Sequence, residues 1–336
     1  GVMRAMVAAV SGGLCWPRMP WWSQLLVLLI GGFHAAASFF HFSRGRHGAA
    51  WAAAWGALTL ATALLGSLAL LAVYVVAVVV WNAWWASLRP RTDREWAPDV
   101  ARQTTGTIEG GLLTIRDVRC FDWHSETAFD ERWETRSYEL ARLESVDLFA
   151  SYWMGPSIAH LIVSFGFAGQ DHLAFSIEVR RARGTEWSNF AGFFKAYELV
   201  TIAADERDII RLRTTVRRED VYLYRLVSTP EFRERLLRAY VADCNQLART
   251  PRFYHTVITN CTTQIVRLVR AAGQRLPLNW QMIATGHAPE YLQRIGIIDP
   301  RLPFARLKRR AAISTLGQAI DRDPRFSTRI REEQAG

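Results

Sequence analysis

Two long stretches without a charged side chain stand within the first 88 residues, and they constrain the chain more than anything that follows. WWSQLLVLLIGGFHAAASFFHF runs from Trp21 to Phe42, and ALTLATALLGSLALLAVYVVAVVVWNAWWASL runs from Ala57 to Leu88. At about 1.5 Å per helical residue each can cross a hydrocarbon layer of about 30 Å. Membrane helices are therefore expected at about 21–42 and 58–85. Trp51 and Trp55 before the second stretch, and Trp81, Trp84 and Trp85 at its end, mark the interfacial levels. Residues 1–17 are apolar but short and glycine-broken, and read either as a partial span or as an interfacial segment. A removed signal peptide is not expected from apolar stretches this long and this many. His34 and His41 lie seven apart, on one face of the first span, where packing against a neighbouring helix and reach to the interface account for them.

The composition turns at Arg89, where RPRTDREWAPDVAR reads as a charged, proline-containing linker. The division expected is an anchor over 1–88, a linker over 89–104 and a water-exposed domain over 105–336. Short β-type runs cover Gly111–Arg119, Ser137–Leu140 and Val146–Trp153. His160–Gly166 and His172–Arg180 then alternate with period two across the glycine-containing connection FAGQD, which predicts a hairpin with one core face. Symmetry about Gly169 would set His160 opposite Glu178 and Ile162 opposite Ser176; a register about Gly166 would pair His160 with His172 instead. Strands follow at Glu198–Ala203 and Val221–Val227, with the charged run ADERD read as a solvated turn between them. Pro230–Ala248 has helical spacing, and short helices are expected at Pro289–Arg294 and Pro303–Gly317.

The chemistry concentrates at Asn260-Cys261-Thr262-Thr263, which opens an amphipathic helix over Cys261–Ala272 closed by Gly273. Asn260 is a good N-cap, and the free N–H groups of a first helical turn favour a thiolate and can hold an oxyanion. A bland reading stands beside this one, because Cys261 shares a helix face with Ile265, Leu268 and Ala272 and free cysteine packs as a small hydrophobe. A catalytic thiolate needs a base, and a base needs an orienting group. His160 with Glu178 supplies that pair; His255, six residues before Cys261, is the rival base, and His172 and Ser176 are further alternatives. Asn260, Thr262, Tyr254 and Tyr152 are candidates for the oxyanion site or for orienting the base.

The four cysteines, at 15, 120, 244 and 261, show no metal-type spacing and no dense disulfide framework, so no metal site is expected. The signatures of nucleotide binding, zinc proteolysis and serine hydrolysis are missing, and no cofactor is expected. The formal charge of +10 suits anionic lipid headgroups beside a membrane anchor better than nucleic acid.

Several stretches, WAPDVAR, ESVDLFASYWMGPSIAHLIVSFGF, HLAFSIEVRR, YELVTIAADERDIIRLR, EDVYLYRL, NCTTQIVR and DPRFSTRIR, together resemble the Lnb family of bacterial membrane-anchored proteins, typified by lipoprotein N-acyltransferases. The resemblance spans roughly Trp96–Arg331 and rests on the order of many motifs. It implies an α+β fold, an antiparallel sheet packed against helices, related by permutation to the papain and NlpC-type cysteine peptidases, with the strand histidine preceding the helix-borne cysteine. It also implies transfer of a fatty acyl chain, as a thioester on Cys261, to the N-terminal cysteine amine of a diacylglyceryl lipoprotein. The donor would be a phospholipid or a lipoprotein, and His160 and Glu178 would serve as base and orienter. Such maturation takes place on the outer face of the bacterial inner membrane, which favours a domain facing the periplasm and a cytoplasmic loop at Arg44. Family members can carry their membrane helices after the catalytic domain, whereas here they precede it. A membrane-tethered cysteine hydrolase and a non-catalytic binding domain are the competing readings.

Overall fold

The computed structural model describes residues 19–42, 46–169, 172–277 and 279–332. The segment 1–17 and Arg44 lie outside these. The chain divides into two compact units, Gly1–Arg89 and Pro90–Gly336.

Among its described residues the first unit holds three helices, α1 (Trp21–His41), α2 (Arg46–Leu65) and α3 (Leu68–Ser87), each long and apolar enough to cross a membrane. The single second span expected over 58–85 is thus two helices. Gly66 takes a left-handed φ of +60° and Ser67 is extended, and both conformations interrupt a helix. Helix α2 in turn reaches back through the alanine-rich run before Ala57, where propensity favours helix. Two polar side chains in these helices find partners within the bundle: Tyr74 donates to the Val27 carbonyl at 2.9 Å, and Asn82 Nδ2 lies 3.1 Å from His34 Nε2. His34 is buried against Trp55 and Trp81. Such pairing is what hydrocarbon demands of a polar side chain.

The second unit is α+β, as expected. Its strands are β1 (Thr105–Glu109), β2 (Leu112–Arg119), β3 (Asp122–Trp123), β4 (Phe129–Asp130), β5 (Trp133–Glu139), β6 (Leu143–Tyr152), β7 (Ala159–Phe167), β8 (Leu173–Arg180), β9 (Glu198–Asp205) and β10 (Asp220–Arg225). The main sheet runs β1-β2-β9-β8-β7-β6-β10, with β5 paired to β2. Every pairing is antiparallel except β2 with β9, so the sheet is mixed where an antiparallel one was expected. The helices are α4 (Glu206–Arg211), α5 (Pro230–Arg249), α6 (Cys261–Ala271), α7 (Trp280–Ile283), α8 (Ala288–Arg294), α9 (Phe304–Ala311), α10 (Ser314–Ala319) and α11 (Phe326–Glu332).

The β7–β8 register joins Ile162 to Ser176 and Val163 to Phe175, which is the pairing symmetric about Gly169. Both faces of this sheet are covered, not one. Leu161, Val163, Phe165, Leu173, Phe175 and Ile177 pack with Leu236, Leu237 and Tyr240 of α5 and with Ile265 and Leu268 of α6. Their alternates Ile162 and Ala174 join Ile209 and Ile210 of α4 and Phe326 and Ile330 of α11 in a second core. The hairpin's polar face therefore lies under a helical layer, and its charges must pair internally.

The same burial overturns the solvated reading of ADERD. Asp205, Glu206 and Asp208 are each less than 5% exposed, because they open α4 beneath the sheet. Asp208 takes a two-pronged bond from Arg119, at 2.8 and 2.9 Å, and another from the Trp123 indole. The helix expected over Pro303–Gly317 is broken at Ala312–Ile313, where the Ile313 N–H donates to the Val221 carbonyl on the edge of β10. Within the linker stretch, Trp96 is buried and bridged to Ala182, and Pro98–Val100 forms a single 3-10 turn.

Candidate active site

Helix α6 begins with a complete capping box. Asn260 Oδ1 accepts from the Thr263 N–H at 2.9 Å, and Thr263 Oγ1 accepts from the Asn260 N–H at 3.0 Å. Asn260 Nδ2 also donates to the Thr256 carbonyl at 2.7 Å. The Asn260 side chain thus holds the helix start and is not aimed at a substrate oxygen. Cys261 is the first helical residue, half-buried, and its own N–H and that of Thr262 remain as first-turn donors.

The strand pair meets this helix end where β7 and β8 part. Their ladder stops at Ile162–Ser176, and beyond it the Leu161 backbone and the His160 ring come close enough to the Cys261 thiol to favour its charged form. His160 Nε2 donates to Ser176 Oγ at 2.7 Å and lies 3.2 Å from Glu178 Oε1. Ser176 Oγ in turn donates to Glu178 Oε1 at 2.6 Å. With Nε2 engaged on that side, Nδ1 is the nitrogen left for the thiol.

Electrostatics follow from these contacts. Burial pushes the Cys261 thiol up, but the hydrogen bond and charge of His160, with the Leu161 N–H and Thr262, outweigh it and leave the thiol below its ordinary value. Burial likewise works against a charged His160, while Glu178 and Cys261 favour it, and the ring is pushed up to about 9. Glu178 is opposed by burial too, yet His160, Arg213 and Ser176 hold it well below the usual carboxylate range. All three shifts point toward the charged forms, a thiolate on Cys261, a proton on His160 and a carboxylate on Glu178.

Behind Glu178 lies a layer that sequence reasoning missed. Arg213 Nη2 donates to Glu178 Oε1 at 3.1 Å, and Arg213 Nη1 donates to Glu219 Oε2 at 3.2 Å. Glu219 also accepts from the Ser151 hydroxyl, and Ser151 faces His160 across the β6–β7 ladder. Arg213 sits in a π-helical turn, Leu212–Val216, and is only 4% exposed. The run RLRTTVRRED around it carries no periodic signal that separates this arginine from its neighbours.

Of the remaining candidates, Tyr254 stays at the site: its hydroxyl is pushed up by burial first and then by the charges of Cys261 and Glu178. Thr262 Oγ1 lies 3.9 Å from the sulfur. Tyr152 is turned elsewhere, donating its hydroxyl proton to the Gly286 carbonyl at 2.7 Å. His255 Nδ1 accepts from the N–H groups of Val257 and Ile258, both at 3.2 Å, and shapes the turn before the helix. His172 belongs to a separate cluster with Glu206, Arg331 and Asp147. Cys120 and Cys244 are buried free thiols, both pushed up by burial.

The model of the Lnb N-terminal periplasmic domain matches residues 129–287. That stretch holds His160, Ser176, Glu178, Arg213, Glu219 and Cys261. No curated protein and no solved structure matches the chain.

Proposed function

The chain belongs to the Lnb family, as an inner-membrane protein with a periplasmic domain, and from that premise we propose that it is a lipoprotein N-acyltransferase working through a thioester on Cys261. The order of His160 before a helix-borne Cys261 supports kinship with permuted papain- and NlpC-like cysteine enzymes.

The observation that carries the reading is the relay from the His160 ring through Ser176 to Glu178, bonded at 2.7 and 2.6 Å, beside a Cys261 thiol whose ionisation that ring favours. In the first step the thiolate attacks the carbonyl carbon of an acyl ester and its electrons move to oxygen. The Cys261 and Thr262 N–H groups are placed to receive that oxyanion, a contribution of about 10²–10³ in rate. As the tetrahedral intermediate collapses, the C–O bond breaks, and the departing alkoxide takes the proton from the His160 imidazolium. In the second step the lipoprotein's N-terminal amine attacks the thioester, His160 takes the amine proton, and the C–S bond breaks to return the thiolate. Ser176 and Glu178 keep the ring oriented through both proton transfers.

The test is expression in a bacterium depleted of its own lipoprotein N-acyltransferase, with mass spectrometry of a lipoprotein N-terminal peptide. An added N-acyl chain that disappears in Cys261→Ala is expected. Free fatty acid without N-acylated peptide would replace the transferase by a hydrolase, and activity surviving in Cys261→Ala would remove the nucleophile.

A further inference from the structure

Around Cys261 the surface is apolar to a degree found nowhere else on the second unit. Twelve large hydrophobic side chains of that unit are exposed among the described residues, and nine of them lie within 153–154, 187–193, 257–258 and α7; the other three are Leu112, Val227 and Ile295. The loops are joined to one another and to the site. Trp153, directly after β6, packs edge-on against Trp187 at 5.0 Å between ring centroids. The loop carrying Trp187 and Phe190 is bound to the turn before α6, with Thr256 Oγ1 donating to the Asn189 carbonyl and the Thr256 N–H to the Gly192 carbonyl. That turn raises Ile258, 69% exposed, two residues from the Asn260 cap. Across the mouth, Gly286 donates its N–H to the Ser157 carbonyl and fixes the segment bearing Trp280, 64% exposed, beside the start of β7.

An aqueous substrate gives no reason to expose such a ring, and soluble surfaces avoid contiguous apolar patches. The mixture of tryptophan, phenylalanine and isoleucine is the composition of interfacial membrane contacts. On one side the rim borders a cavity of about 540 Å³ that shares Trp153 and is lined by Arg217, Arg218 and Lys308 together with Glu126, Glu219 and Asp220. A charged wall beside an apolar ring matches the change from headgroup to hydrocarbon across a leaflet, and a purely apolar peptide partner would leave those charges unmet.

We propose that this rim inserts into the hydrocarbon of a bilayer, so that Cys261 takes its acyl group from a lipid-embedded donor without that chain first passing through water. The proposal rests on the acyltransferase reading for the guest it names, while the contact itself is measurable without turnover. The full chain, with Cys261→Ser and Cys15→Ser, is reconstituted in nanodiscs of phosphatidylethanolamine and phosphatidylglycerol and labelled with an environment-sensitive fluorophore at Ile258→Cys. A second preparation carries the label at Val227→Cys, 57% exposed at the far end of the β6–β10 pair, where Leu226 donates to the Val146 carbonyl. Lipids with nitroxide-bearing acyl chains are expected to quench the Ile258 label at least about twofold and to leave the Val227 label unchanged, as insertion to acyl depth requires. Equal, water-like behaviour of the two labels overturns the proposal, and N-acylation by the parent protein would then leave the acyltransferase reading standing. A quenched Ile258 label with no N-acylation by the parent protein would leave lipid contact in place and remove the transferase.

Discussion

Cys261 is pulled in two directions, by burial that favours the thiol and by His160 that favours the thiolate, and the second wins. Removing the ring should reverse the outcome. In His160→Ala burial stands uncompensated, so the midpoint of the pH dependence of iodoacetamide alkylation at Cys261 should rise to or beyond the ordinary thiol value. The alkylation rate near neutral pH should fall by about tenfold or more, since each pH unit of midpoint shift removes about a factor of ten in thiolate. An unchanged midpoint would show that the helix end alone sets the thiol. Glu178 acts one residue further back. Its negative charge helps hold the proton on His160, so the ion pair should persist until pH rises through about 9. Because the folded value lies above the unfolded 6.5, this interaction stabilises the fold fully below that value and is lost as pH climbs through about 9. In Glu178→Gln only burial, Arg213 and the thiolate remain to set the ring, and the basic limb of kcat/KM should move to lower pH by roughly one unit or more. Ser176→Ala, which keeps the direct 3.2 Å contact between His160 and Glu178, should move that limb less.

At the scale of elements, the cap that starts α6 also places Cys261 at the first helical position. Asn260→Ala removes the acceptor for the Thr263 N–H and should cost about 1 kcal/mol, a fall of about 2–4 °C in the unfolding midpoint for a unit of this size. Asn260→Asp keeps an acceptor at that position and should recover most of the loss, as followed by thermal unfolding of the full chain; equal losses in the two variants would remove the cap as the cause. This helix was legible in the sequence because its signals are local: an Asn before the first turn, apolar spacing over three turns, and Gly273 with φ of +90° after it. The β7–β8 register was legible for a related reason, two alternating runs about a glycine that takes φ of +67°. What lay hidden is non-local. The polar face of that hairpin reads as a surface until α4 and α11, from about 30 and 150 residues further on, are seen to cover it. Arg213 reaches Glu178, and Glu219 reaches Arg213, only because a π-helical turn and the residues just before β10 fold back beside β6, and no period in the sequence records that. Gly286 is another such case. A Cβ there would run into the Pro156 carbonyl oxygen, a close approach set by two segments 130 residues apart.

For the second unit as a whole, the His160 group and the Glu206 clamp meet β7 at two different points of the strand. His160 opens β7, whereas Ser164, four residues on, donates to Glu206 at 2.6 Å. Arg331 of α11 bonds both oxygens of Glu206, at 2.6 and 2.8 Å, and Asp147 at 2.9 Å, clamping the last helix onto the sheet. Burial works against the Glu206 charge, but Arg331 and His172 more than offset it and push this carboxylate down to about 2. The folded value is below the unfolded 4.5, so the stabilisation is fully present above that value and fades as pH falls toward about 2. Arg331→Met strands Glu206 in the core with Ser164 and His172 for company, and breaking a buried pair from one side costs about 3–5 kcal/mol. The expected result is a fall of about 10 °C in the unfolding midpoint at neutral pH, by tryptophan fluorescence, with a gap to the parent that narrows as pH drops toward 3. The alkylation profile of Cys261 should not move in the same variant, because nothing that sets the thiol touches the clamp. A shifted thiol would mean that the second core transmits strain along β7 to the nucleophile, and that the two points of the strand act as one unit.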